Sequence, residues 1–142
     1  MPAEIKGLNE ECGVFGVFGA QDASQLTYYG LHTLQHRGQE GAGIVSTDSK
    51  ELYQHRDRGL LAKVFANPNE LKRLVGDAAI GHVRYGTSGH NSIANVQPFL
   101  FHFHDGDVAL AHNGNLTNAV TLRRQLEAVS YTHLTLPTTP YV

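Results

Sequence analysis

The sequence has a single cysteine, no long apolar run and no cluster of basic residues, and each absence narrows what it can do. One thiol, Cys12, can form no internal disulfide and no four-cysteine zinc site, which suits a reducing, cytoplasmic home. No apolar stretch is long enough to span a bilayer. The N-terminal run MPAEIKGLNEE is acidic and lacks the apolar segment of a secretory signal. The 11 Lys and Arg are scattered among 13 Asp and Glu, and a formal net charge of −2 gives no field that would favour nucleic acid or a membrane surface. Hydrophobic residues make up 41% of the 142, ordinary for one globular domain with one core. The 15 glycines sit in clusters, which points to tight turns around a site.

Short elements follow one another along the chain. Gly13 to Phe18 (GVFGVF) reads as a buried strand. Ser24 to Gln35 reads as a helix, with Asp22 as N-cap, a stripe of Leu26, Gly30 and Leu34, and Gly38 as a C-cap candidate. Gly41–Ser46 and Glu51–His55 flank the turn-like Thr47-Asp-Ser-Lys as a hairpin. Asn69 to Leu74 fits a short helix, Ala78 to Tyr85 a strand, and Gly86 to Asn95 a loop. Phe99, Phe101 and Phe103 alternate with Leu100 and His102 as a half-buried strand, and Asp105-Gly106 turns it into a partner over Asp107–His112. Asn118 caps a last helix with Ala119, Leu122 and Leu126 on one face. Hairpins with helices between them argue for antiparallel sheets packed with helices, an α+β fold.

A lone cysteine is most often a small buried hydrophobe, and the edge of an apolar strand suits that role for Cys12. A second reading starts from the polar run Leu8-Asn-Glu-Glu before it, which adds little to any core. Cleavage of the Glu11–Cys12 peptide would free an α-amine of pKa near ~7.7–8. That amine can take the proton of its own thiol, so one residue supplies nucleophile and base.

Longer motifs carry a resemblance. The leader AEIKGLNEECGVFG and the blocks YYGLHTLQHRGQEGAGI, AIGHVRYGTSG, NVQPF and ALAHNGNL resemble the glutaminase domain of the amidophosphoribosyltransferase family, over residues 1 to about 128. Relatives that make glucosamine phosphate or asparagine place the cysteine directly after the initiator Met, whereas the leader ending in Glu-Glu-Cys resembles this family. The resemblance implies a propeptide over 1–11 and a partial class II glutamine amidotransferase domain over 12–128, with the four-layer αββα fold of N-terminal-nucleophile hydrolases. It implies that L-glutamine is split and that a second, phosphoribosyltransferase domain uses the ammonia to displace pyrophosphate from phosphoribosyl pyrophosphate. Cys12 matches the nucleophile, and Asn113 and Gly114 the oxyanion donors. Without the cysteine, Asn113-Gly-Asn would be read as a plain turn. Arg84 matches the residue that grips the substrate carboxylate, where the bland alternative is a surface charge at a strand end. Tyr85 and Thr87 belong to a loop over glutamine, and Arg37 and Gly38 lie beside the site, although a helix C-cap explains Gly38 alone. The parent enzymes are expected to be tetramers under nucleotide control, with Mg2+ and, in the subgroup with such leaders, a 4Fe–4S cluster. Those groups need residues beyond this chain, since one cysteine cannot hold a cluster.

The chain departs from the pattern after residue 128. The family carries there a Ser-Asp-Thr-Glu segment whose Asp binds the substrate amine. Here VSYTHLTLPTTPYV follows, without Lys, Arg, Asp or Glu, and Thr132, Thr135 and Thr138 cannot supply that negative charge. Residues 129–142 resemble one reading frame of a sequencing adapter; the bland alternative is a polar edge strand ended by Pro137 and Pro140. The chain as it stands is expected to be a poor glutaminase that cannot complete the transfer. The alternatives are a different ammonia acceptor and a non-catalytic remnant. A metal site on His102 and His104 finds no third ligand at a recognisable spacing. Resequencing the gene through codon 129 is expected to return a different, longer continuation; the same tail read again would remove the adapter reading.

Overall fold

A computed structural model describes residues 12–35, 40–85, 92–114 and 116–133. The leader, Arg37, Gly38, Thr87 and residues 134–142 lie outside the described residues. In chain order the elements are β1 (Cys12–Phe18), α1 (Ala23–Leu34), β2 (Gly41–Thr47), β3 (Leu52–Arg58), α2 (Leu61–Val64), α3 (Pro68–Arg73), β4 (Ala78–Arg84), a 3-10 turn (Ile93–Asn95), β5 (Phe99–Phe103), β6 (Gly106–Leu110) and α4 (Ala119–His133). Strands β1, β4, β2 and β3 form, in that order, an antiparallel sheet, and β5 and β6 pair as a second, two-stranded one. Among the described residues no helix is long and apolar enough to cross a membrane.

Register sorts the large sheet into two faces, because residues directly opposite each other point the same way. Gly13, Phe15 and Val17 of β1 share one face with Val83, Gly81 and Ala79 of β4 and with Ala42 and Ile44 of β2. Helix α1 lies on that face with Ala23, Thr27 and Leu31 buried, and Leu61, Val64, Phe65 and Leu74 extend the same core. The opposite face carries Cys12, Arg84 and Gly41 in one cross-strand row and Val14, His82, Gly43 and Arg56 in the next.

The α1 stripe is rotated from the sequence expectation. Leu26 is 39% exposed, while Thr27 is fully buried, its hydroxyl donating to the Ala23 carbonyl at 2.8 Å. An internally satisfied threonine can occupy an apolar face at little cost, which a count of apolar residues misses. Gly30 does face the sheet, since a Cβ there would come within 2.5 Å of the Phe15 ring. Asp22 stands at the N-cap position without a side-chain capping bond, and the helix ends at Gln35 in extended conformation, ahead of Gly38. Helix α2, only four residues long, had no sequence signal. Asn67 caps α3 by accepting from the Asn69 N–H at 3.0 Å. In α4, Leu126 is 60% exposed, so the face of Ala119, Leu122 and Leu126 is not buried at that end.

Segment 93–98 is fastened across the second face. The Arg56 guanidinium donates to the carbonyls of Ile93 at 3.2 Å and Val96 at 2.5 Å, and the Gln54 amide donates to the Pro98 carbonyl at 2.9 Å. Gly43 permits this approach, because a Cβ there would collide with the Gln97 carbonyl oxygen. Gly16, on the same face, has only ordinary contacts at 3.7 Å. Gly43→Ala is therefore expected to destabilise the fold by about 1–3 kcal/mol and Gly16→Ala to leave it nearly unchanged, as read from urea unfolding midpoints; equal effects would contradict the close approach.

Candidate active site

The site is assembled by the register of β1 against β4. Cys12 begins β1 directly opposite Arg84, the last residue of β4, which also faces Gly41 at the start of β2. The thiol is half-buried, with Sγ 4.0 Å from the Tyr85 carbonyl oxygen. Asn113 reaches the same point from the stretch after β6, and its side-chain amide donates to the Cys12 carbonyl at 2.9 Å across 101 residues of sequence. The residue that carries the thiol and a side-chain amide donor are thus in contact, through the Cys12 main-chain carbonyl.

Gly114 follows with φ of +138° and nothing within 4 Å of a notional Cβ. The left-handed backbone, which L side chains rarely adopt, is what calls for glycine here. That conformation orients the Gly114 N–H, the second candidate donor.

Arg84 is half-buried on the site face, not a free surface charge, and its guanidinium donates to the Asn95 carbonyl at 2.9 Å. Tyr85 packs against the core on the other side. Burial raises its hydroxyl pKa, and the charge of Cys12 adds to the rise. Of the residues expected at the site, Cys12, Arg84 and Asn113 come together, with the Tyr85 main chain beside the thiol and Gly114 next to Asn113 in sequence; Thr87, Arg37 and Gly38 lie outside the described residues.

Sequence reading missed the polar groups beneath the site. Gln97 is buried, and its side-chain oxygen accepts from the His112 N–H at 2.7 Å, which fixes the residue just before Asn113. His82, two positions before Arg84, is fully buried. Burial pushes its pKa down to about 4, with the positive charges of His112 and Arg84 acting in the same direction and the nearby His112 main chain partly opposing them. The available signal was His-x-Arg and His-Asn-Gly, two histidines each beside a site residue.

His102 and His104 are engaged by acidic neighbours, Nδ1 to Asp107 at 2.8 Å and Nδ1 to Asp105 at 3.0 Å. Among the described residues no group of three or more His, Cys, Asp or Glu side chains could hold a metal ion. An open cleft of about 550 Å³ lies at the other end of the sheets, lined by Gly16, Val45, Ile80, Val108 and Ala109 among others. It is apolar and far along β1 from Cys12, so it has none of the chemistry described above.

Residues 59–133 match a family model described as glutamine amidotransferases class-II. The amidophosphoribosyltransferase of Lacticaseibacillus casei is 61% identical over 127 residues, covering 89% of this chain and 66% of that protein. That of Bacillus subtilis (strain 168) is 61% identical over 128 residues, covering 89% of this chain and 27% of that protein. A solved structure described as the allosteric regulatory enzyme of purine biosynthesis superposes with a TM-score of 0.78 at 53% identity, over 88% of this chain and 26% of that one. The glutamine phosphoribosylpyrophosphate amidotransferase of B. subtilis, solved with ADP and GMP, gives 0.75 at 52%, over 89% and 27%. The chain therefore spans roughly two thirds of one relative and about a quarter of the others.

The His82 shift carries a stability prediction. Its folded pKa, about 4, lies below the ordinary 6.5, so between those values the unfolded chain binds the extra proton. The contribution is complete above pH 6.5, shrinks as pH falls and is gone below about 4. Between pH 7.5 and 4.5, urea unfolding should show wild type losing on the order of 2 kcal/mol more stability than His82→Gln. Equal losses would show that His82 titrates normally.

Proposed function

This chain belongs to the class II glutamine amidotransferases, with the domain type found at the N-terminus of amidophosphoribosyltransferases, and on that premise we propose that it hydrolyses glutamine through a thioester on Cys12 once residues 1–11 are removed. The contact between the Asn113 amide and Cys12 is the observation that supports this reading most.

In the proposed mechanism the freed α-amine of Cys12 takes the thiol proton. The sulfur adds to the glutamine carboxamide carbon, forming an S–C bond and placing negative charge on the carbonyl oxygen. Asn113 turns its amide from the Cys12 carbonyl to that oxyanion, and the Gly114 N–H is the second donor. The C–N bond then breaks, the leaving nitrogen takes the proton from the α-ammonium, and ammonia departs. Water enters by the same general-base route, cleaves the S–C bond and releases glutamate. Arg84, already on the site face opposite Cys12, offers its guanidinium fork to the substrate α-carboxylate. Tyr85 meets the site through its main chain beside Cys12, and Thr87, Arg37 and Gly38, outside the described residues, are proposed as further residues bordering the bound glutamine.

Two antiparallel sheets are present, with α1 packed on one face of the larger; these elements support the four-layer αββα arrangement we assign to the complete domain. In the complete enzyme, which we place in the cytoplasm as a tetramer, the ammonia passes to a phosphoribosyltransferase domain and makes phosphoribosylamine at the start of purine synthesis. An iron–sulfur cluster does not fit the residues present, which include one cysteine. Any cluster, like Mg2+ at the acceptor site, would be held by other parts of the polypeptide. The adapter-like tail over 129–142 takes the place of the acidic segment that would bind the substrate amine, so turnover here is slow.

Glutamine-dependent ammonia release by the chain beginning at Cys12 is expected to vanish in Cys12→Ser and to fall about 10²–10³-fold in kcat in Asn113→Ala. Equal release by wild type and Cys12→Ser would remove the enzymatic reading.

A further inference from the structure

His82 is the one fully buried ionisable side chain on the site face of the sheet among the described residues, and the mechanism above does not use it. Among the described residues neither of its ring nitrogens makes a hydrogen bond of full geometry, although the His112 main chain lies close enough to raise its pKa, and the buried Nε2 of His112 has no partner there. Buried polar atoms without partners are rare, since each costs about 1–3 kcal/mol. With one His82 nitrogen turned to the His112 main chain, the other His82 nitrogen and His112 Nε2 remain, two neighbouring groups that call for a common explanation. Their positions suggest one. His82 lies in the middle of the central strand β4, opposite Val14 of β1 and Gly43 of β2, one row below Cys12 and Arg84. His112 is covalently joined to Asn113, and its main chain faces the His82 ring closely enough to take one of its nitrogens as a weak hydrogen-bond partner.

A neutral imidazole has one N–H and one lone pair. A water molecule both donates and accepts, and internal waters typically satisfy such leftover polar groups. We propose that His82 is a positioning residue: its imidazole and that of His112 share an internal water, and this bridge holds the Asn113–Gly114 donors over Cys12. The bridge complements the bond from the His112 N–H to Gln97, so the residue before the oxyanion donors is held through both its main chain and its ring. Burial, which keeps His82 uncharged well below neutral pH, leaves its lone pair free for this role.

The catalytic part of the inference rests on the glutaminase reading; the bridge does not, and the two are separable. In the chain beginning at Cys12, His82→Leu removes both polar atoms, whereas His82→Gln retains a donor and an acceptor. Amide hydrogen exchange at His112, whose N–H is bonded to Gln97, should quicken about tenfold in His82→Leu, with Ile44 and Val83 unchanged, and return near wild type in His82→Gln. Glutamine hydrolysis should lose about tenfold in kcat in His82→Leu with little change in KM, and recover in His82→Gln. Unchanged exchange in a folded His82→Leu overturns the bridge, whatever the activity. Loosened exchange with no hydrolysis by wild type keeps the bridge and sinks the glutaminase reading. If His82→Leu does not fold, wild type alone decides: a nuclear Overhauser effect from the His82 ring to a long-lived water supports the proposal, and its absence overturns it.

Discussion

The antiparallel pairing of β1 with β4 is the constraint on which the site depends. It sets Cys12 against Arg84 and, one row further in, Val14 against His82. A slip of one residue would turn Cys12 toward α1 and Gly13 toward the site. The slip is opposed by the packing of the other face. Gly13 lies where a Cβ would press on Leu34 and Val83, and Gly30 lies where one would strike Phe15. The core that buries Leu31, Ile44 and Leu61 thus fixes which face the thiol occupies. Each such side chain contributes on the order of 1.5–3 kcal/mol by leaving water.

The second face is held by polar groups. Arg56, Arg84 and Gln54 each donate to carbonyls of segment 93–98, and Gln97 passes the connection on to His112. This chain of bonds delivers Asn113 to Cys12. Hydrogen bonds in a site of this kind contribute little net stability but strong directionality. The result is a nucleophile on a rigid strand, with its donors on a loop tied to that strand from below. Toward the far end of β1 the same face opens, with Phe18 91% exposed.

Local sequence patterns made most elements legible. The alternation of Phe99, Phe101 and Phe103, the Asp105-Gly106 turn and the run from Gly13 to Phe18 each gave the element found, but the last, read as a buried strand, is an edge strand with one exposed side, because it pairs only with β4. The face of α1 was misread because Thr27 hides its hydroxyl in its own helix while Leu26 points outward. Helix α2 is too short for periodicity to register. Strand order was not legible, because β1 pairs with β4 across more than sixty residues of sequence and periodicity carries no information about such distances. The site residues were legible only through long motifs resembling a family. Spacing alone left Cys12 as a buried hydrophobe and Asn113-Gly114 as a turn. His82 and Gln97 were invisible as site residues, since their roles come from burial.

The account turns on the amine and the sulfur of Cys12 acting as one unit. The most direct measurement is intact-mass analysis, with mapping of the modified residue, after brief exposure of a mixture of leader-bearing and leader-free chains to an electrophilic diazoketone analogue of glutamine. The account predicts a single adduct on the Cys12 sulfur, formed only in molecules whose first residue is Cys12. Labelling of leader-bearing chains at the same rate, or of another residue, would contradict it.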